Sequence, residues 1–306
     1  MNNIALDIGG SSIKYALIDD CMNIKTKGSI PCKTDCMESL LSPLKMIKNQ
    51  FNGYYEGVAV SMPGKIDMAN GIAITGGSFQ FIRNLPMADI IKEIFEKPVI
   101  IANDGKCAAN AELYDGSLKN VKSGAVIVLG TGIGGGIIID GKVWLGNDFG
   151  AGEFSMLPTS FAEFSGFNRT VPNENQLPIW AATCSTRGLV NDYCNIKGLE
   201  TCDGKEFFTA FDRKEPEALV AFNRFCEGLA IGIFSIQSII DVEMIAIGGG
   251  ISARPEVTEG IRISVNKLFD RQICCPFNTP IIVTCKYGND ANLLGALYFY
   301  KELVSK

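Results

Sequence analysis

The chain predicts an α/β fold built from one architectural unit used twice. Three observations carry that reading. Strand-like and helix-like segments alternate along the sequence, the signature of layered α/β architecture. Asp7-Ile8-Gly9-Gly10-Ser11-Ser12-Ile13 is echoed by Leu129-Gly130-Thr131-Gly132-Ile133-Gly134-Gly135, so that each half opens with a strand, a glycine turn and a second strand. The length, 306 residues, corresponds to about two domains at ~150 residues each.

The elements follow in order. Ile4–Ile8 and Ile13–Ile18 are apolar or alternating and read as a hairpin around the first glycine turn. Met37–Phe51 has apolar residues at helical spacing (Leu40, Leu41, Leu44, Ile47, Phe51). Glu56–Ser61 reads as a short buried strand ending at Met62-Pro63-Gly64, and a loop-rich stretch runs on to Asn84. Met87–Phe95 is an amphipathic helix, Val99–Ala102 a strand, and Asn103-Asp104 opens a helix through Tyr114. After Gly124, Ala125–Leu129 and Gly135–Asp140 are strands, and Asp140-Gly141 is a hairpin signal. Pro158–Pro178 is punctuated by Pro, Asn and Gly and is expected to loop out. Glu215–Ile240 is a long helix, Met244–Ile247 a strand meeting Gly248-Gly249-Gly250, Pro280–Cys285 the last strand and Ala291–Val304 the last helix. The expected domains are 1–118, joined by the last helix at 291–306, and 119–290.

Composition removes whole classes of chemistry. The chain is 47% hydrophobic and 20% charged, so it is globular rather than disordered. Histidine is absent, which excludes Ser-His-Asp and Cys-His hydrolases, HExxH metalloproteases and every histidine-ligated metal site. A general base must then be Asp, Glu, Lys, Tyr or Cys. The net charge of −5 and the lack of a Lys/Arg run argue against nucleic acid as a partner. The 11 cysteines are odd in number and contain no CxxC pair, consistent with reduced thiols in a cytoplasmic protein. Met1-Asn2-Asn3-Ile4 has no signal-peptide character. The uncharged run Gly124–Ile139 is too short and glycine-rich to span a membrane, so no membrane association is expected.

The glycine turns are the main chemical signal. Gly130-x-Gly132-x-x-Gly135 satisfies GxGxxG, but a dinucleotide site needs a helix directly after it, whereas Ile137-Ile138-Ile139-Asp140-Gly141 is a strand and a turn. No P-loop pattern occurs. Bare hairpin turns remain an alternative. Two such turns, each with Ser or Thr hydroxyls, suit a polyphosphate, because glycine lets backbone N–H groups converge on an anion. Asn103-Asp104, after a strand and before a helix, is a good N-cap. It also puts a carboxylate at the edge of a sheet where α/β proteins bind ligands, able to accept a sugar hydroxyl's proton during phosphoryl transfer. Asp7, at the end of the first strand beside the first glycine turn, either starts a turn or orients a magnesium-bound water. Glu153, after Gly150-Ala151-Gly152, is either solvated or clamps two sugar hydroxyls. Gly248-Gly249-Gly250 either makes a tight turn or lets adenine or ribose lie on the backbone.

Taken together, Asp7-Ile8-Gly9-Gly10-Ser11-Ser12-Ile13-Lys14, Met62-Pro63-Gly64, Asn103-Asp104, Leu129–Gly136, Ala151-Gly152-Glu153 and Ile247–Ile251 resemble, in order and spacing, the ROK (repressor, open reading frame, kinase) sugar kinases. The resemblance covers nearly the whole chain. It implies the actin-like (ribonuclease-H-like) duplicated fold and transfer of phosphate from ATP, with magnesium, to a sugar hydroxyl. It implies Asp104 as catalytic base and sugar contacts at Gly64, Gly77, Asn84, Asn103 and Glu153. It implies nucleotide contacts at Asp7, Gly9, Gly10, Ser11, Ser12, Lys14, Gly130, Thr131, Gly132, Gly135, Gly249 and Gly250, with Asp7 acting on magnesium indirectly.

Many members of that family follow the glutamate with Gly-His and a CxCGxxGC zinc loop. Here Phe154-Ser155-Met156 follows, so no zinc is expected. The family's second sugar-binding glutamate has no clear counterpart either. Ile74-Thr75-Gly76-Gly77-Ser78, Asn173-Glu174-Asn175 and Tyr287–Ala291 look more like the zinc-less β-glucoside kinases than like glucokinases; loss of a metal-tethered loop near C1 is expected to make room for a second ring, for which Phe161, Phe164 and Phe167 would supply a stacking wall unless they only pack the loop. The expected partners are a small-molecule sugar and ATP, with a homodimer allowed. The alternatives are a glucokinase, an N-acetylmannosamine kinase, or a non-catalytic sugar sensor on the same fold.

Overall fold

The computed structural model describes residues 1–51, 53–159 and 179–304. Phe161, Phe164, Phe167, Asn173, Glu174 and Asn175, and nearly all of the expected Pro158–Pro178 loop, lie outside the described residues. The chain begins with β1 (Asn2–Ile8), β2 (Ser12–Asp19), β3 (Ile24–Pro31) and α1 (Met37–Gln50), followed by β4 (Val58–Met62). Next come the short strands β5 (Ile66–Asp67), β6 (Ile72–Thr75) and β7 (Arg83–Leu85), then α2 (Met87–Phe95), β8 (Val99–Asn103) and α3 (Asp104–Asp115). The later chain contributes β9 (Gly124–Leu129), β10 (Ile133–Ile139), β11 (Lys142–Trp144), α4 (Trp180–Cys184), α5 (Thr186–Lys197), α6 (Gly204–Asp212) and α7 (Pro216–Ile240). It ends with β12 (Met244–Gly248), α8 (Pro255–Asp270), β13 (Ile281–Thr284) and α9 (Ala291–Val304).

Two five-stranded sheets carry the fold, in the orders β3-β2-β1-β4-β8 and β11-β10-β9-β12-β13. Numbered among its own five strands, each sheet runs third, second, first, fourth, fifth. The sequence echo between the glycine turns is therefore the visible part of a repeated topology. β1 is antiparallel to β2 but parallel to β4, and β4 is parallel to β8. Parallel strands are covered on both faces, and β4 (Val-Ala-Val-Ser-Met) is buried at every position. In the second sheet β12 is parallel to both β9 and β13.

The chain divides into two compact units. One contains Met1–Asn120, Gly136–Gly152 and Asn289–Lys306, and the other Val121–Gly135 and Glu153–Gly288. In the first, Leu6, Ile8, Ile13, Leu40, Leu44, Val58, Val60 and Ile91 form one continuous core. α9 packs on α3 so closely that a Cβ on Gly295 would lie 1.7 Å from the Cys107 carbonyl oxygen. The contact is pinned by Asn110, whose Nδ2 donates to the Gly295 carbonyl at 3.2 Å. The first turn of α9 is thereby fixed over the ends of β1 and β4.

In the second unit α7 is long and apolar enough, by length and composition, to cross a membrane, but half of that window is buried inside the protein. Phe222, Phe225, Cys226, Leu229 and Ile233 are its buried side, and Phe222 and Cys226 pack over Gly260 of α8.

Residues 65–85 differ from the loop expected there. They form a small sheet of order β5-β6-β7, with Ile66 opposite Ala73 and Ala73 opposite Leu85. Strands of two to four residues are too short to show a period in the sequence.

Candidate active site

Strand register assembles the first cluster. Asp7 on β1 stands opposite Ser61 on β4, and Met62 stands opposite Asn103 on β8. Three parallel strands thus end at one edge, and each carries a polar residue, Asp7, Ser61 or Asn103, in its last two positions. Asp7 is 7% exposed and saturated with donors. Its Oδ1 accepts from Ser61 Oγ at 3.1 Å and from Asn292 Nδ2 at 3.0 Å, and its Oδ2 from Lys14 Nζ at 3.3 Å. Asn292, on the first turn of α9, is 285 residues away in sequence and was not foreseen.

Asn103 is the N-cap of α3, its Oδ1 accepting from Lys106 N at 3.1 Å. The same side chain has a second task. Its Nδ2 donates to the Gly64 carbonyl and to Asp104 Oδ1, both at 2.9 Å. Asp104 Oδ1 also accepts from Gly105 N at 2.8 Å, at the helix N-terminus where the dipole favours a negative charge. Capping and positioning are therefore compatible readings of Asn103-Asp104. Behind them, burial pushes the Cys107 thiol well up, reinforced by the Asp104 charge and more weakly by Asp7, while a hydrogen bond with Ser61 opposes the rise. Cys107 and Ser61 thus lie within electrostatic reach of both carboxylates.

Gly64 has to be glycine. Its φ is +99°, and a Cβ would sit 2.2 Å from the Thr75 carbonyl oxygen and 2.8 Å from Gly77 N. The Met62-Pro63-Gly64 turn and the Thr75-Gly76-Gly77 segment therefore touch backbone to backbone. Beyond them Thr75, Gly77, Gln80, Arg83 and Asn84 line a cleft of about 530 Å³. In the first glycine turn Gly9 N donates to the Ser12 carbonyl at 3.0 Å, and a Cβ on Gly10 would meet Ser78 Oγ at 3.0 Å. Gly9, Gly10, Ser11, Ser12 and Lys14 belong to the same unit as Asp7 and Asp104.

The second unit gathers another cluster. Gly130 N donates to the Gly132 carbonyl at 3.0 Å, closing the β9–β10 turn. Gly130, Thr131, Thr186, Asp203, Gly204 and Gly250 are among the residues lining a cavity of about 410 Å³, within the usual size for a small-ligand site. The glycines separate into two kinds. A Cβ on Gly132 or Gly250 would meet nothing within 4 Å, so their bare backbone has no packing purpose and is open to an incoming group. Gly135 and Gly249 have packing reasons of their own. A Cβ on Gly135 would lie 2.4 Å from the Val126 carbonyl oxygen and 2.5 Å from the Phe154 ring. Gly249 has φ +94°, and its Cβ would lie 2.1 Å from the Leu129 carbonyl oxygen.

Gly249→Ala is accordingly expected to cost ~2 kcal/mol of stability. Gly132→Ala should change stability by less than ~0.5 kcal/mol. Urea unfolding of the two variants checks the contrast, and equal losses would remove it.

Thr186 and Asp203 were not singled out in the sequence. Thr186 N donates to the Gly130 carbonyl at 3.0 Å, tying α5 to the turn. Asp203 caps α6 in a reciprocal box with Glu206, a D-x-x-E pattern that was legible. Glu153, exposed, accepts from Ser155 Oγ. Phe154 is buried and edge-on to Trp180 at 6.5 Å.

Magnesium suits Asp7 only at second hand. Its two oxygens already serve three donors, one of them a lysine. Mg²⁺ keeps several waters and takes the rest of its ligands from phosphates, so an outer-sphere carboxylate is compatible with it. Among the described residues no group of three or more Cys, Asp or Glu side chains is placed to hold a metal.

The chain is 29% identical over 304 residues to a β-glucoside kinase of Listeria innocua, covering 99% of this chain and 98% of that protein. It is 26% identical over 317 residues to an N-acetylmannosamine kinase of Haemophilus influenzae, covering 99% and 97%. The crystal structure of a ROK family protein from Streptococcus pneumoniae in complex with sucrose superposes with a TM-score of 0.84 at 28% identity, covering 100% of this chain and 99% of that one. The repeated sheet order and the glycine turns thus occur in a chain whose residues 3–303 match the ROK family, and the protein belongs to that family.

Proposed function

We propose that this protein is an ATP-dependent sugar kinase that transfers the γ-phosphoryl group to the 6-hydroxyl of a β-glucoside such as cellobiose. The observation that carries the reading is the Asp104 carboxylate, pinned through one oxygen by Gly105 N and Asn103 Nδ2 at the edge where β1, β4 and β8 end. A base held in one orientation takes a proton without first reorganising. Asp104 receives the proton of the attacking hydroxyl. Asn103, Gly64, Gly77, Asn84 and Glu153 hold the sugar. The open backbone at Gly130–Gly132 and Gly250 receives the nucleotide, and Asp7 with Lys14 orders the phosphate end of the first glycine turn. Magnesium, when bound with ATP, neutralises charge on the β- and γ-phosphates. The β-glucoside kinase relative supports the acceptor class, and the absent zinc-loop cysteines support it independently.

A coupled ADP-release assay across glucose, N-acetylmannosamine, cellobiose and aryl β-glucosides tests the reading. Turnover with none of them would overturn the kinase. Turnover only with the acetylated sugar would move the protein to the acetylhexosamine class, the second reading favoured by the N-acetylmannosamine kinase relative.

Zinc has no place in this scheme. Purified protein is expected to hold no stoichiometric zinc, and a strong chelator should leave activity intact once magnesium is restored. Elemental analysis giving about one zinc per chain would contradict this.

A further inference from the structure

We infer that the cleft beside Gly77 is the subsite for the acceptor's second ring, with Gln80 and Arg83 as the side chains that recognise it; the inference rests on the sugar-kinase reading above. A continuous series of contacts leads to the cleft. Asp104 Oδ1 accepts from Asn103 Nδ2, which also donates to the Gly64 carbonyl, each at 2.9 Å. Gly64 abuts Thr75 and Gly77 at backbone distance. Thr75 and Gly77 then form one side of the cleft of about 530 Å³. A sugar whose 6-hydroxyl meets Asp104 has its remaining length to lay along this line.

The lining suits a polyol. Phe79 and Ile82 are buried beneath the cleft and pack its base. Gln80, Arg83 and Asn84 are exposed around it. Among the described residues the Gln80 and Arg83 side chains make only long bonds, Gln80 Nε2 donating to the Gly77 carbonyl at 3.3 Å and Arg83 Nε to the Gln80 carbonyl at 3.4 Å. Arg83 is the only charged residue lining the cleft, and it forms no ion pair among the described residues. Its terminal guanidinium donors are therefore available to hydroxyl oxygens.

The backbone is also unusual here. Gly77 has φ +59° and Asn84, a non-glycine residue, φ +52°. Glycine adopts this conformation freely, whereas at Asn84 it costs free energy, and such non-glycine positions cluster at ligand sites.

The test is the ratio of kcat/KM for cellobiose to that for glucose, measured for the unmodified protein, for Gln80→Ala, for Arg83→Ala and for the double variant. Melting temperatures are recorded alongside. The double variant is expected to lower the ratio ~10-fold or more, through KM for cellobiose. Arg83→Lys should fall between it and the unmodified protein, because a single ammonium replaces a planar fork. A ratio unchanged in the double variant overturns the inference while the kinase stands. Calorimetric titration of cellobiose without ATP separates the two failures. If no sugar is phosphorylated, the kinase reading falls; cellobiose binding that the double variant loses still supports the subsite, and absent binding overturns it.

Discussion

Asp104→Asn is expected to lower kcat by ~10²–10⁴ while sugar binding stays measurable. The substitution is close to isosteric, and the geometry shows why it should fold. Asp104 uses Oδ1 to accept from Gly105 N at 2.8 Å and from Asn103 Nδ2 at 2.9 Å. An asparagine carbonyl oxygen accepts both bonds in the same place. The N-cap of α3 is Asn103, not Asp104, so the helix keeps its start. What is lost is basicity, together with a negative charge near the N-terminus of α3 that is worth about 0.3–1 kcal/mol at most exposed sites. The sugar's proton then has no acceptor in the transition state. Single-turnover transfer with cellobiose reads the chemical step, and calorimetry reads binding. Turnover close to that of the unmodified protein would exclude Asp104 as the base. Loss of binding and turnover together would assign it a holding role only.

The structure also shows what kind of information the sequence carries. α2 at Met87–Phe95 and α9 at Ala291–Val304 have the bounds the sequence predicts, because apolar spacing and punctuation such as Pro86 and Gly288-Asn289-Asp290 agree there. The edge residues Asp7, Gly64, Asn103 and Asp104 were legible for a different reason. Each lies within two residues of the end of an apolar strand, and parallel register brings such ends into one row. Ser61 and Asn292 were not legible. Ser61 is one polar residue inside a buried strand, and Asn292 reaches Asp7 only because α9 returns to the first unit. β3, with its exposed polar residues, and the helices α4 to α6 and α8 carried no reading. α4 is a single turn, and the others bury only three to five residues each, too few for a clear helical period. Among the glycines, sequence could not distinguish those that leave backbone open, Gly132 and Gly250, from those that let chains touch, Gly135 and Gly249.

β-Glucosides are expected to exceed glucose in kcat/KM by roughly 10- to 200-fold, the range that ~1–3 kcal/mol of added contact gives. The argument begins at Glu153. Phe154-Ser155-Met156 stands where the zinc-bearing form has Gly-His and its cysteine loop. In the structure these residues do not rebuild such a brace. Phe154 turns inward onto Gly135 and Trp180, Ser155 donates to Glu153, and Met156 is exposed. Under the proposed function, a sugar held by its 6-hydroxyl end is expected to find no metal-tethered loop at the anomeric end, so that a second ring would gain contacts rather than clash. The gain is realised only if that ring is also bound in the transition state, so it belongs in kcat/KM and not in KM alone. Cellobiose and glucose compared under identical conditions give the ratio. Phe161→Ala, Phe164→Ala and Phe167→Ala, set beside Arg83→Ala, then locate the contact. A fall in the ratio with a phenylalanine variant assigns the second ring to that segment, and a fall with the arginine variant assigns it to the cleft beside Gly77. Glucose preferred by the unmodified protein would end the β-glucoside assignment and leave phosphoryl transfer to a sugar standing.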